Sequence, residues 1–206
     1  VARILLGVTG SVAAIRTLPL FRAIRDAGHE ARVVATESSL HFFDPAELDP
    51  GVLVRDADEW PASGYRRDDP VLHIELRRWA DLLVVAPLDA NTLAKFALGL
   101  SDNCLTCVFR AWDFAKPVVL APAMNTLMWE SPVTRRHLAQ ILDDRGDGLA
   151  PERWTLADAD QIFAFHAPGI ILVRPQAKRL ACGDVGLGAM AEVASIAEVV
   201  RTSLDA

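Results

Sequence analysis

Three side chains of different chemistry carry the first clues: Asn125, His73 and Cys182. Asn125 lies in the peptide Pro122-Ala123-Met124-Asn125-Thr126-Leu127-Met128-Trp129, directly after the apolar run Pro117-Val118-Val119-Leu120-Ala121. Such a run predicts a buried parallel strand, so Asn125 is expected at a strand's carboxyl end, where open α/β sheets place their ligands. A carboxamide offers donors and an acceptor without net charge, which suits holding a carboxylate. Met124, Met128 and Trp129 would add a polarizable apolar wall. Taken alone, the peptide equally fits a core strand ending in a loop.

His73 stands between Leu72 and Ile74, after a loop and ahead of a strand. Near a ligand crevice it could act as a base or a carboxylate partner at neutral pH; elsewhere it would be structural. Cys182 precedes Gly183-Asp184-Val185-Gly186-Leu187-Gly188-Ala189-Met190. Three glycines make a mobile or tightly turned segment that could carry a thiol over a ligand as a proton donor, or simply a flexible loop. Cys104 and Cys107 form a Cys-x-x-Cys pair in a stretch that reads as helix, with no second pair and no His nearby. Buried thiols are expected there rather than zinc, and no metal site is expected.

Two strand ends suit phosphate. Gly7-Val8-Thr9-Gly10-Ser11 closes the first strand with small residues whose amides could approach an anion. It is neither Gly-x-Gly-x-x-Gly nor a Walker loop, so a tight turn and a mononucleotide site both remain open. Asp89-Ala90-Asn91-Thr92 repeats the arrangement after another strand, as either an N-cap cluster or ligand contacts.

The elements that must position these groups alternate strand and helix. Strands are expected at 3–9, 30–35, 81–86, 117–121 and 169–173, with a brief one at 52–55 inside a long Asp-, Pro- and Gly-rich loop, 45–70. Helices are expected from Val12 to Gly28, kinked or split at Pro19, then from Thr36 towards Phe43, and over 73–79, 90–98, 102–112 and 132–143. A Ser195-Ile196-Ala197-Glu198 capping box would open a last helix. This order implies an α/β fold: a single domain, 1–206, with a doubly wound parallel sheet in a Rossmann-like or flavodoxin-like three-layer sandwich.

With 206 residues, 51% of them hydrophobic and 23% charged, the chain can fill one sizeable core. A net charge of −6, with only the short pairs Arg66-Arg67 and Arg77-Arg78, argues against a nucleic-acid surface. No apolar run approaches bilayer length and no signal-type segment precedes the first strand, so membrane partners are not expected. Three cysteines, an odd number, suggest reduced thiols and a cytoplasmic location.

With these residues placed, the chain resembles the flavin-containing cysteine decarboxylase family. The matching segments are Gly10 to Ala14, Asp69 to Asp81, Ala86 to Thr92, Pro122 to Trp129, and Leu180 to Asp184 continuing through Met190-Ala191-Glu192. They run through nearly the whole chain in the family's order. The resemblance implies an FMN-dependent lyase of coenzyme A biosynthesis that converts 4'-phosphopantothenoylcysteine to 4'-phosphopantetheine. The flavin would oxidise the substrate to a thioaldehyde, carbon dioxide would leave, and the enethiol would be reduced again.

Carried onto this chain, the family's pattern makes His73 the base or carboxylate-positioning group and Cys182 the proton donor. Asn125 would hold the substrate carboxylate, with Met128, Ala181 and Gly183 also in the substrate site. Gly10, Ser11, Val12, Ser38, Ser39, Phe42, Asp89, Ala90, Asn91 and Thr92 would contact FMN. The family's assembly implies a homotrimer with flavin between subunits, so His73 would serve a neighbour's substrate, beneath a flap near 178–192. One departure is an aromatic-containing stretch near 150–168 that reads as an insertion. The alternatives are a flavin-binding subunit that inhibits a protein phosphatase, a flavin prenyltransferase and a generic nucleotide-binding module. The first would typically carry acidic extensions, and the motif set argues against the other two.

Overall fold

The protein is described by a computed structural model covering residues 1–64, 66–179 and 185–204. Its centre is a six-stranded sheet in the order β3-β2-β1-β4-β5-β6, parallel throughout. The strands are β1 (Arg3–Val8), β2 (Glu30–Ala35), β3 (Leu53–Val54), β4 (Leu82–Leu88), β5 (Val118–Pro122) and β6 (Ile170–Leu172). Their near-continuous apolar sequences follow from burial on both faces. Along β1, Ile4, Leu6 and Val8 point into one core and Leu5 into the other. The first core lies under α1 (Thr17–Asp26) and α9 (Val193–Leu204). The second is covered by α3 (Leu72–Trp79), α4 (Ala90–Leu98), α5 (Cys104–Arg110), α7 (Pro132–Arg145) and α8 (Ala159–His166). Gly7 lets α5 sit close: a Cβ there would come within 2.6 Å of Leu105 Cδ1.

From β1 the chain builds outward through β2 and β3, then returns to start the other half at β4. The gap between the carboxyl ends of β1 and β4 is therefore the topological switch point, where such sheets bind ligands. Among the described residues no helix is long and apolar enough to cross a membrane.

Several expectations change in detail. The first helix is split, as Pro19 implies, into a 3-10 segment at Val12–Arg16 and α1, with Pro19 in the first turn, where its missing N–H matters least. Val12 and Ile15 do not join the buried stripe; they are 45% and 53% exposed. Thr36 caps its 3-10 turn, Glu37–His41, without a side-chain cap bond. Its hydroxyl instead meets Ser38 Oγ at 3.2 Å. The long loop contains an unexpected helical turn, α2 (Asp56–Glu59).

The Ser195–Glu198 capping box is not used. Helix α9 begins at Val193, Ile196 N–H already donates to Glu192 O at 3.0 Å, and Glu198 accepts from Arg201 Nε at 2.9 Å. The aromatic stretch near 150–168 folds onto the second core: Trp154 and Phe163 are buried, and α8 packs on edge strand β6. Arg135 holds this stretch by donating to Trp154 O at 2.8 Å and lying 5.0 Å from the indole centre. Between β6 and α9 an antiparallel pair, β7 (Gln176–Arg179) and β8 (Val185–Ala189), stands outside the main sheet.

Candidate functional site

Three strand ends converge at the switch point. After β1, Thr9 is fully buried; its hydroxyl donates to Pro87 O at 2.8 Å and accepts from Asp89 N–H at 2.7 Å, tying the loops after β1 and β4 together. Ser11 caps the following turn, its Oγ accepting from Ala13 N–H at 3.3 Å. Gly10 faces the loops after both β2 and β4. A Cβ there would lie 2.7 Å from Ser38 Cβ and 3.5 Å from Asp89 Oδ2. Gly10, Ser11, Ser38 and Asp89 thus form one cradle, built so closely that only glycine fits at its centre. Asp89 also caps α4, accepting from Thr92 N–H at 2.7 Å. The helix thereby leaves its small, polar first turn facing the crevice.

The residues of this neighbourhood divide into facing and supporting positions. Ser38 and Asn91 are exposed, Gly10, Ser11, Asp89 and Ala90 are half-buried, and Val12 is exposed. Ser39 and Thr92 are buried, and Ser39 Oγ donates to Thr36 O at 2.6 Å, so it holds the 3-10 turn together. Phe42 packs on the first core.

Beside the cradle opens a cavity of about 550 Å³. Ser11 to Ala13, Ile15 and Arg16 form one wall, Ala123 to Asn125 another, and Lys178 with Gly188 to Val193 a third. Asn125 is the N-cap of α6 (Thr126–Trp129), its Oδ1 accepting from Leu127 N–H at 2.9 Å, which fixes the carboxamide. Met124 and Trp129 are buried, whereas Met128 is 48% exposed on the same helical turn. Gly186 and Gly188 have a packing role that the expectation of a mobile or tightly turned segment did not specify. Met124 N–H donates to Gly188 O at 2.9 Å, and a Cβ on Gly188 would run into the Met124 carbonyl. A Cβ on Gly186 would lie 2.9 Å from Thr126 Cγ2. These glycines let β8 lie directly on the Asn125 peptide. Lys178 bonds Glu192 at the mouth; that bond and one from Gln176 hold the Glu192 carboxyl below its ordinary range.

His73 is not in this cavity. It sits in the first turn of α3, its side chain 22% exposed, with Nδ1 2.5 Å from Glu59 Oε1. Glu59 Oε2 accepts from the His73 backbone N–H at 2.9 Å. Within one chain, therefore, the structure brings Asn125 to Ser11 but does not bring His73 to either. Sequence reading missed Glu59, which lies in an acidic run, Asp56-Ala57-Asp58-Glu59, of the kind that is usually solvated. It also missed the latch role of Thr9. Cys104 and Cys107 are both buried, and burial, with Glu59 and Asp56 adding to it, pushes both thiols up, away from thiolate chemistry. Among the described residues no cluster could hold a metal ion. Cys182, Ala181 and Gly183 lie outside the described residues.

Residues 1–205 match the family model described as Flavoprotein. The chain belongs to the flavoprotein family. This flavoprotein is 48% identical over 203 residues to phosphopantothenoylcysteine decarboxylase of Mus musculus, covering 98% of the chain and 87% of that protein. It is 50% identical over 200 residues to the Arabidopsis thaliana enzyme of the same name, covering 97% of the chain and 83% of that protein. Among solved structures, a cysteine-to-serine mutant of PPC decarboxylase complexed with pantothenoylaminoethenethiol superposes with a TM-score of 0.80 at 47% identity, covering 100% of this chain and 99% of that one. The FMN-binding protein AtHal3 gives a TM-score of 0.75 at 49% identity, covering 98% and 95%.

Proposed function

We propose that this flavoprotein binds FMN and decarboxylates 4'-phosphopantothenoylcysteine to 4'-phosphopantetheine. The observation that carries the reading is that Ser11 belongs to both the phosphate-type cradle and the cavity containing Asn125. Cofactor and substrate sites on either side of one residue would place their reacting parts together. The relatives named for this activity extend over nearly the whole chain, and an FMN-binding neighbour shares the fold.

The residues present fit FMN: Gly10 lets the loops after β1 and β2 meet closely, and the exposed Ser38 and Asn91 and the half-buried Ser11 and Ala90 leave small, polar groups and backbone amides that an anion can approach. Gly10, Ser11, Val12, Ser38 and the turn Asp89 to Thr92 would hold it, with Ser39 and Phe42 supporting them. When bound, FMN supplies the reversible two-electron acceptor that lets the substrate carboxylate leave. Asn125 would hold that carboxylate through its carboxamide, which the bond from Leu127 N–H orients. Met128, Ala181 and Gly183 would complete the substrate site, whose apolar walls would exclude water. Lys178 is paired with Glu192 at the cavity, so Arg16 supplies the net positive charge of its lining, which suits a phosphorylated substrate. Cys182 would return a proton in the closing reduction.

His73 would act as base or carboxylate-positioning group in a neighbouring subunit's site, which its separation from its own chain's cavity favours. Exposed Trp60 and Val71, near Glu59 and His73 in sequence, and exposed Val12, Ile15, Leu127 and Met128, around the cavity, supply apolar faces that a homotrimer would cover. The test is an absorbance spectrum of the FMN-reconstituted protein followed by mass spectrometry of its product from phosphopantothenoylcysteine. A flavin spectrum with release of carbon dioxide and formation of phosphopantetheine is expected. A colourless, inactive protein would refute the reading.

A further inference from the structure

We propose that Glu59 is a positioning residue that sets the tautomer and orientation of His73, an assignment that rests on the role given to His73 above. A carboxylate has two acceptor oxygens, and Glu59 uses both on one residue: Oε1 lies 2.5 Å from His73 Nδ1 and Oε2 accepts the His73 backbone N–H at 2.9 Å. The second bond fixes the start of α3 relative to α2; the first fixes the ring about its side-chain torsions. With Glu59 Oε1 as the acceptor of this contact, Nδ1 carries the proton. In the neutral ring the lone pair then resides on Nε2, at the far edge, which is the atom that can take a proton or face a carboxylate.

The carboxylate is itself well fixed. Its side chain is only 6% exposed, and Cys104 Sγ lies 3.8 Å from Oε2. The neighbouring charged and titratable groups are Asp56 on the same turn, Asp102 before α5, and the thiols Cys104 and Cys107 on α5, which burial keeps protonated. Asp102 is bound to Lys95 at 2.7 Å, and Asp56 accepts the Cys104 backbone N–H at 2.9 Å. Of His73 and Cys104, the described residues that bond the Glu59 carboxylate, His73 is the basic one. A surface ion pair would need no such enclosure, whereas orienting an imidazole requires it.

The experiment compares wild type with Glu59→Gln, both as FMN-loaded protein. Glutamine keeps the shape but has one acceptor oxygen. If that oxygen retains the backbone N–H, the amide NH2 faces Nδ1 and forces the proton to Nε2. Nitrogen-15 NMR of labelled histidine, with the His73 signals identified from His73→Asn, reads the tautomer without turnover. The expected result is an Nδ1–H tautomer in wild type and a mixed or Nε2–H tautomer in Glu59→Gln. With it should come an approximately 100-fold loss of kcat, a KM within about threefold and unchanged flavin content, in keeping with the scale of general acid-base catalysis. Glu59→Asp, which keeps both acceptors, should recover part of kcat and the Nδ1–H signal; it carries the test alone if the glutamine variant fails to fold. An unchanged tautomer in Glu59→Gln, or a loss of thermal stability with no change in tautomer, would overturn the proposal. If wild type forms no phosphopantetheine, the activity reading fails, but the NMR comparison still decides the role of Glu59.

Discussion

The switch-point cradle and the His73–Glu59 pair are built by opposite means. The cradle is mostly backbone: strand ends whose separation is fixed by ladder hydrogen bonds, one glycine chosen for close approach, and caps reaching two or three residues along the chain. The pair is made of side chains on two helical elements, joined across 14 residues that include an irregular loop. A site of the first kind resists change because the sheet holds it. One of the second kind depends on each member having its partner, so single substitutions should damage its chemistry while sparing the fold.

The largest expected effect tests that contrast directly. His73→Asn should lower turnover by at least about 1000-fold, within the range for loss of a general acid-base group, while flavin content stays at the wild-type level. If flavin is lost in parallel, the pair belongs to the cradle and the contrast is wrong. Asn125→Asp keeps the oxygen that caps Leu127, so thermal stability should hold. The added negative charge opposes a carboxylate, and KM should rise or kcat fall by about 100-fold, as expected when a like charge replaces a donor. Equal losses in Asn125→Asp and Asn125→Ala, with only the alanine variant losing about 1 kcal/mol of stability in urea titrations, would confirm that cap and substrate contact are separable.

Gly10→Ala should cost about 1–3 kcal/mol from overpacking, together with reduced flavin content. Adding Ser38→Gly should restore part of both. Retention of flavin by the single variant would show that the cradle has more room than its geometry implies.

The smallest effect concerns the seat of the pair. Burial raises the Asp56 carboxyl above its ordinary value, with the Cys104 N–H bond opposing. A raised folded value means that the group's favourable contribution is present below the unfolded pKa and is lost as pH rises through the folded one. Asp56→Asn keeps an acceptor for Cys104 N–H and removes the ionisation. At pH 7 it should therefore be neutral or stabilising by less than about 1 kcal/mol, partial exposure reducing the effect. The difference from wild type should shrink on acidification. A clear destabilisation at pH 7 would mean that the ionised group matters to α2.

What could be read from the sequence follows the same division. The parallel sheet was legible because strands buried on both faces leave uninterrupted apolar runs, as at 82–88 and 118–122. Asp89 and Asn125 were legible because a strand end followed by a capping residue is a local pattern. The start of α9 was misread for an instructive reason: Ser195 and Glu198 have capping-box spacing, but the helix is already under way from Val193. The β7–β8 pair was missed because the glycines read as a mobile or tightly turned segment, whereas the lack of a Cβ at Gly186 and Gly188 serves contact with Thr126 and Met124. Glu59 was hidden because nothing local marks one carboxylate in an acidic run as the buried one. Its identity is set by α3 and α5 folding over it.

Thr9 has a further consequence. One hydroxyl answers both the carbonyl of Pro87 and the amide of Asp89, so the lengths of the loops after β1 and β4 are not independent variables. A change of length after β1 that displaces Thr9 would leave the Pro87 carbonyl and the Asp89 amide without this partner, and a change after β4 would strand the buried Thr9 hydroxyl. A chimera that exchanges the loop after β1 alone should fold poorly, and exchanging both loops from the same donor should repair it. Any redesign of cofactor preference in this protein would have to treat the two turns as one inherited part.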